Sequence, residues 1–332
     1  MKRHFLYLTG ISLLLTLLPL LPAKLLPVRT APEEEISTLP PGVVESTEPA
    51  PERCYRVLDI TTGEILEVPV REYVIGALGA EMPASFEPEA LKAQAVAAYT
   101  YAERPCRLSD ARPELCGADF SNDPSRYQAY YTAASLEKLY GADFSTYYDR
   151  LCTAVDAVSG QMLTYEGEPI IAAFHAMSSG MTESAANVWG EEVAYLRPVD
   201  STPDTQAPSY EESVTYSAQA VEETLTAAHD GLFLGSDPAQ WFGEPVCSAA
   251  GTVLQQSWGT GLFTGQELRG LFSLRSAAFT VTYADGDFTF ITHGFGHDVG
   301  MSQYGANAMA QEGADYAQIL AYYYPGTKLT QG

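Results

Sequence analysis

The sequence predicts an α+β fold, with mixed helices and short antiparallel sheets around a long groove, after an N-terminal transmembrane helix. Three observations predict it. An uncharged apolar run fills residues 5–23 directly behind Lys2, Arg3 and His4. Val70, Val74 and Leu78 recur at four-residue spacing, with Tyr73 and Ile75 broadening the stripe, which is the period of a helix facing a core. Residues 55–70 alternate apolar and polar around Thr62-Gly63, the period of a half-buried hairpin.

The apolar run is long enough to cross a bilayer. Positive charge before it favours a cytoplasmic start at residues 1–4 and an exported remainder. No small-x-small cleavage site follows cleanly, and Pro19, Pro22 and Lys24 crowd its end, so a retained anchor is expected rather than a cleaved signal. Residues 24–52, rich in Pro, Glu, Ser and Thr, have too little apolar surface to fold and read as an extended spacer. The folded body is expected over residues 53–330. After the hairpin, the helix through Glu81 is stopped by Pro83, which cannot continue an α-helical hydrogen-bond ladder. Pro88 starts the next helix, whose row of Leu91, Ala95, Ala98 and Ala102 suits close packing. Helical stretches follow at 127–140 and 147–159, and a strand-rich stretch at 162–177. Residues 201–219 read as a polar connection leading into a strand. A short helix is expected at 265–270, and two strands within 277–292 joined at Ala284-Asp285-Gly286-Asp287. A glycine-rich loop then delivers a helix starting at Gln303, and a last helix from Tyr316 is stopped by Pro325-Gly326.

Lys and Arg number 18 against 42 Asp and Glu, a net charge of −24 that repels a polyanion, so nucleic acid is excluded as a partner. With 46% hydrophobic residues the chain can bury a sizeable core. None of the five cysteines has Cys-x-x-Cys spacing, so no structural zinc motif is visible. Cys106 and Cys116 bracket a polar loop that one bridge could staple.

The chemistry is expected at Glu81. A carboxylate in the last turn of a helix faces the negative end of the macrodipole, and Met82, Pro83 and Phe86 offer it little hydration. Its pKa should be raised, which is what a general acid needs near neutral pH. Ser178-Ser179-Gly180, with Thr182, Glu183 and Asn187, reads as a polar edge whose hydroxyls and amides suit sugar hydroxyls. His293 and His297 could in principle hold a metal, as in a chelator-sensitive amidase, but the glycines among them argue for a loop approaching a ligand or another chain segment.

Three ordered clusters resemble one family. They are Glu72-Tyr73-Val74-Ile75-Gly76 through Ala80-Glu81-Met82-Pro83 to Leu91-Lys92-Ala93-Gln94-Ala95-Val96-Ala97-Ala98; Phe174-His175-Ala176-Met177-Ser178-Ser179-Gly180 with Val188-Trp189-Gly190; and Gly296-His297-Asp298-Val299-Gly300-Met301-Ser302-Gln303-Tyr304-Gly305-Ala306 with Tyr323-Tyr324-Pro325-Gly326-Thr327. The set resembles the stage II sporulation protein D (SpoIID/LytB) family of peptidoglycan lytic transglycosylases. The resemblance implies that Glu81 is the catalytic acid/base, cutting the β-1,4 bond between N-acetylmuramic acid and N-acetylglucosamine of peptide-free strands and leaving 1,6-anhydro ends. Gln94, Ser178, Ser179, Tyr195, His297, Gln303 and Tyr304 are the expected substrate-binding wall, chosen by motif membership and hydrogen-bonding ability. No cofactor is expected. Some sporulation members carry zinc in the stretch matching residues 115–130, but the ligand positions here hold Leu115, Ser121 and Tyr127, so no metal is expected either, and a Cys106–Cys116 bridge is the alternative brace. The resemblance further implies a single-pass protein of the cell membrane with an extracytoplasmic body, partnered with peptidoglycan glycan strands and with stage II sporulation proteins P and M during septal remodelling and engulfment. The alternative is a noncatalytic peptidoglycan-binding modifier or enhancer of an amidase.

Overall fold

The computed structural model describes residues 53–108, 112–123 and 126–332. The anchor expected at 5–23, the cytoplasmic start and the spacer lie outside the described residues. Among the described residues no helix is long and apolar enough to cross a membrane.

The hairpin forms as its alternation predicts. Strand β1 (Cys54–Leu58) pairs antiparallel with β2 (Ile65–Pro69), Cys54 opposite Pro69 and Leu58 opposite Ile65. Pro69 leads straight into helix α1 (Val70–Glu81), which buries Tyr73, Val74, Ile75, Ala77 and Leu78. Met82 is extended, its N–H closing the helix on the Leu78 carbonyl at 3.0 Å, and Pro83 follows. Helix α2 (Pro88–Leu108) is the central strut. Its fully buried Ala90, Ala93, Ala95, Ala97, Ala98 and Ala102 let neighbouring elements approach closely on several sides.

Strand β3 (Phe120–Ser121) joins the other edge of β1 in parallel. Helix α3 (Ala133–Tyr140) then packs on α1, and α4 (Phe144–Ala157) packs on both α1 and α2. The helix expected from residue 127 begins only at Ala133, because Thr132 caps it by accepting the Ser135 N–H at 3.2 Å. The N–H groups of Ala129 and Tyr131 go instead to Glu81 and to the Gly76 carbonyl, partners a lone helix cannot supply.

Strands β4 (Gln161–Tyr165), β5 (Glu168–Pro169) and β6 (Phe174–His175) and helix α5 (Ala185–Trp189) continue the body. A second apolar core then occupies an inserted lobe. Its elements are β7 (Glu211–Ser217), α6 (Ala218–Ala228), β8 (Val246–Cys247), β9 (Val253–Trp258), β10 (Gly261–Phe263), α7 (Gly265–Leu271), β11 (Phe279–Ala284) and β12 (Asp287–His293). Sheets ordered β10-β9-β8 and β11-β12-β7 close on Trp258, Phe263, Phe272, Phe288 and Phe290, with Phe272 and Phe290 stacked at 4.8 Å. The chain re-enters the body through β13 (Met301–Ser302), α8 (Gln303–Gln311), α9 (Tyr316–Tyr323) and β14 (Lys328–Gln331).

Mixed helices and short sheets are thus as expected, but pairing is not wholly antiparallel. The pairs β1–β3 and β6–β13 are parallel, each closed by a long crossover that carries helices or the entire lobe. Nor does the expected bridge form: Cys106 and Cys116 are free thiols. Cys106 Sγ donates back to the Ala102 carbonyl within α2, and Cys116 sits exposed at φ 53° after a 3-10 turn. Two hollows, of about 340 Å³ lined by Arg53, Tyr99 and Val155 and about 690 Å³ lined by Met309, Gln318 and Tyr322, do not include Glu81. The long groove expected beside it is neither of these.

Candidate active site

Glu81 closes α1, half-buried, at the start of a turn that the rest of the body pins. Arg150 on α4 donates to the Ala84 and Phe86 carbonyls at 2.8 and 2.6 Å, and Asn307 on α8 accepts the Glu87 N–H at 2.7 Å. Phe86 meets the Tyr304 ring edge-on at 5.0 Å. The carboxyl itself accepts one N–H, from Ala129 to Oε1 at 2.7 Å. Its Oε2 makes no hydrogen bond among the described residues, yet it is not sealed from solvent. Burial raises the Glu81 pKa and the Ala129 N–H opposes the rise, without cancelling it. Tyr101 lies close by, its phenol pushed up to about 12 by burial, then by Tyr127 and Glu81, so it stays a proton-bearing group.

The other expected site residues divide between an open side and the interior. Tyr304 is half-buried beside Phe86, and His297 is half-buried with its ring 5.7 Å from Trp189 and 5.8 Å from His175. Gln94 is fully buried, with Gln303 reaching it across 3.5 Å. Tyr195 is 7% exposed and its hydroxyl accepts the Ile171 N–H. Ser178 is sealed, its backbone N–H and hydroxyl both donating to Asp204 at 2.7 and 2.6 Å, while the Ser179 hydroxyl goes to the Ala250 carbonyl. The Ser178 hydroxyl thus braces the interior, tied to Asp204. The Gln94 amide is likewise wholly covered.

Sequence reasoning missed the group that organises this second cluster. Asp204 takes Ser178 on Oδ2 and Ser302 on Oδ1, tying 3-10 residues Thr202–Gln206 to both glycine-rich motifs. Burial raises its pKa against those hydrogen bonds. Around it, Glu183 holds the Ser184 N–H and Asn187, and bonds Ser248 of the lobe. Asp298, at φ 63° as its tolerance of left-handed backbone allows, is raised well above its ordinary value by burial, with Arg269 opposing. Burial lowers His175 to about 3, with His297 adding to the effect. Burial and Arg269 lower His297 to about 4. Both rings are neutral near pH 7. His293 is elsewhere: it faces Tyr210 and Glu211, so the two histidines four apart do not converge. Among the described residues no group of three or more His, Cys, Asp or Glu is arranged to hold a metal.

The residues at the family's zinc positions do not fit zinc. Leu115 and Ser121 are 2% and 5% exposed, and Tyr127 packs its ring 6.1 Å from Phe120. An aliphatic chain, a hydroxyl and a phenol supply neither imidazole nor thiolate. Aromatic packing occupies this stretch, with Tyr55, Tyr73 and Phe120 mutually in contact and Tyr73 stacked on Tyr130.

A family profile described as Stage II sporulation protein matches residues 59–165. Stage II sporulation protein D of Bacillus subtilis (strain 168) is 37% identical over 267 residues, covering 80% of this chain and 75% of that protein. The chain belongs to the stage II sporulation protein D family. The protein of the same name from Bacillus amyloliquefaciens is 36% identical over the same span of 267 residues. The Amidase enhancer of Bacillus subtilis is 28% identical over 309 residues, which cover 40% of its length. The SpoIID resemblance drawn from the three motifs therefore holds, and the matched profile includes Glu81, the turn that follows it, and residues 127–131 that hold it.

Proposed function

We propose that this SpoIID-family chain is a peptidoglycan lytic transglycosylase in which Glu81 alone acts first as acid and then as base. The observation that carries the reading is the lopsided carboxyl: Oε1 is tied inward to Ala129, Oε2 is left for a substrate, and burial keeps the proton on longer than usual. Protonated Glu81 gives its proton to the glycosidic oxygen between N-acetylmuramic acid and N-acetylglucosamine as the C1–O bond breaks. The carboxylate so formed takes the proton from the muramoyl C6 hydroxyl, and O6 closes on C1 to a 1,6-anhydro ring. No water is consumed, and Glu81 ends protonated as it began. Hydrolysis would call for a second carboxylate about 5–9.5 Å away, to trap the sugar or activate water.

Tyr304 and His297, with the half-buried Trp189, are the side chains best placed to meet a glycan. An anchored body acting on septal strands beside stage II sporulation proteins P and M belongs to the same proposal. The similarity to an amidase enhancer favours one other reading, a noncatalytic peptidoglycan binder that modifies an amidase.

Peptide-free glycan strands digested with the protein and analysed by mass spectrometry separate the readings. Anhydro-muramoyl ends are expected. Reducing ends would mean a hydrolase, and intact strands that still bind would mean the modifier. Glu81→Gln should lower turnover by about two to four orders of magnitude while the circular-dichroism spectrum is unchanged; full turnover in that variant removes Glu81 from the mechanism.

A further inference from the structure

We propose that residues 128–131, seated on Gly76 and locked by Gln128, are the positioning element for the Glu81 carboxyl, acting through packing and amide hydrogen bonds.

The Ala129 N–H reaches Glu81 because its neighbours are fixed to α1 on either side. Tyr131 donates its N–H to the Gly76 carbonyl at 3.2 Å. Tyr130 stacks on Tyr73 at 5.1 Å, at the start of the same helix's buried face. Gly76 makes this approach possible: a Cβ there would lie 2.2 Å from the Tyr131 carbonyl oxygen and 2.5 Å from the Tyr130 ring. Such distances cannot be relieved without lifting the segment off the helix.

Gln128 supplies the lock. Its Nε2 donates to the Ala98 carbonyl of α2 at 3.0 Å and to the Tyr73 hydroxyl at 3.2 Å. A carbonyl can only accept, so the amide orientation follows from its neighbour. Its Oε1 is buried without a partner, a costly arrangement that an apolar side chain would avoid. The two Nε2 bonds are what the residue contributes at this place. They join α1, α2 and the extended segment at one point, within one residue of the N–H that holds Glu81. Leu115, Ser121 and Tyr127 in the preceding stretch supply no imidazole or thiolate, so it is packing and hydrogen bonds of this kind that seat the segment.

The proposal deepens the assignment of Glu81 as proton carrier, and its first readout does not need turnover. In the full chain, the Glu81 side-chain carboxyl is followed by ¹³C NMR against pH in wild type, Gly76→Ala, Gln128→Met and Gly79→Ala. Gly79 is the control, since the atoms nearest a Cβ there are the side-chain ends of Leu136 and Leu151, at 2.8 and 2.9 Å, rather than the segment. Losing the Ala129 N–H removes a bond that favours the ionised form, so Gly76→Ala and Gln128→Met should bind the Glu81 proton roughly tenfold more tightly. Gly79→Ala should lower stability and leave that proton as in wild type. If the Gly76→Ala chain does not fold, Gln128→Met, which introduces no clash, carries the test. A Glu81 titration identical to wild type in folded Gln128→Met overturns the proposal. On glycan strands, the same two variants should lower kcat with little change in KM. A moved titration in a chain that never cleaves glycan sustains the positioning element and removes the transglycosylase reading; an unmoved titration in an active enzyme does the reverse.

Discussion

A buried side chain with one strong partner behaves unlike the same side chain in water, and several groups here depend on that. Glu81 is the case with consequences for chemistry; His175 and His297 are the case with consequences for stability. Both rings stay neutral in the folded state because burial opposes their charging, His175 at about 3 and His297 at about 4 against an ordinary 6.5. A depressed folded value means that the unfolded chain takes up protons first as pH falls. The stability held by neutral rings is present above pH 6.5 and drains away as pH falls from 6.5 to about 4 for His297 and to about 3 for His175. Glu183, Asp204, Asp298 and Arg269 face the same cluster, and the raised Asp204 and Asp298 act in the opposite sense, gaining stability as pH falls. The histidine contribution is therefore read as a difference: urea unfolding of wild type should lose stability more steeply over this range than His297→Phe, and equal slopes would show that the ring carries no such burden. Of these groups, Glu81 was legible from its neighbours in sequence, a helix end followed by Met82 and Pro83. Asp204 was not, because its partners Ser178 and Ser302 lie 26 and 98 residues away. The Ala129 N–H gives no side-chain signal at all.

Among the elements, helix α2 was the easiest to read and remains the most demanding to alter. Its row of alanines announced close packing, and in the folded chain Ala97 and Ala98 have no exposed surface. Added methylenes have nowhere to go. Ala97→Leu should destabilise by about 1–3 kcal/mol through overpacking, visible as a lower urea midpoint with an unchanged slope. Local pattern served equally well for the hairpin and for α1, where turn residues and a four-residue period agree with the tertiary structure. It failed at 127–132, where helical composition is overridden by acceptors on Gly76 and Glu81. It also failed for pairing direction, because the parallel β6–β13 contact is made only after the chain has travelled through the whole lobe.

At the scale of the molecule, two apolar cores share one chain. The body is built around α2, the lobe around Trp258 and its ring of phenylalanines. They meet through polar and directional contacts, including Ser179 to Ala250, Tyr210 to the Ser179 carbonyl, Gly296 to the Arg275 carbonyl, and the Arg275 guanidinium 4.3 Å over Phe295. Trp258→Ala, which empties the centre of the second core, should cost about 3–5 kcal/mol. Hydrogen exchange should show the loss concentrated in residues 211–293, with amides of α1 and α2 still protected; uniform loss of protection would mean that the two cores melt as one. Glu211 is paired with His293, and the Gly294 N–H donates to the Tyr210 carbonyl at 2.8 Å, so the thread leaves and returns through a single doorway. A module hung from adjoining doorposts leaves the course of the body's chain, and the turn that follows Glu81, independent of how long the excursion between them is.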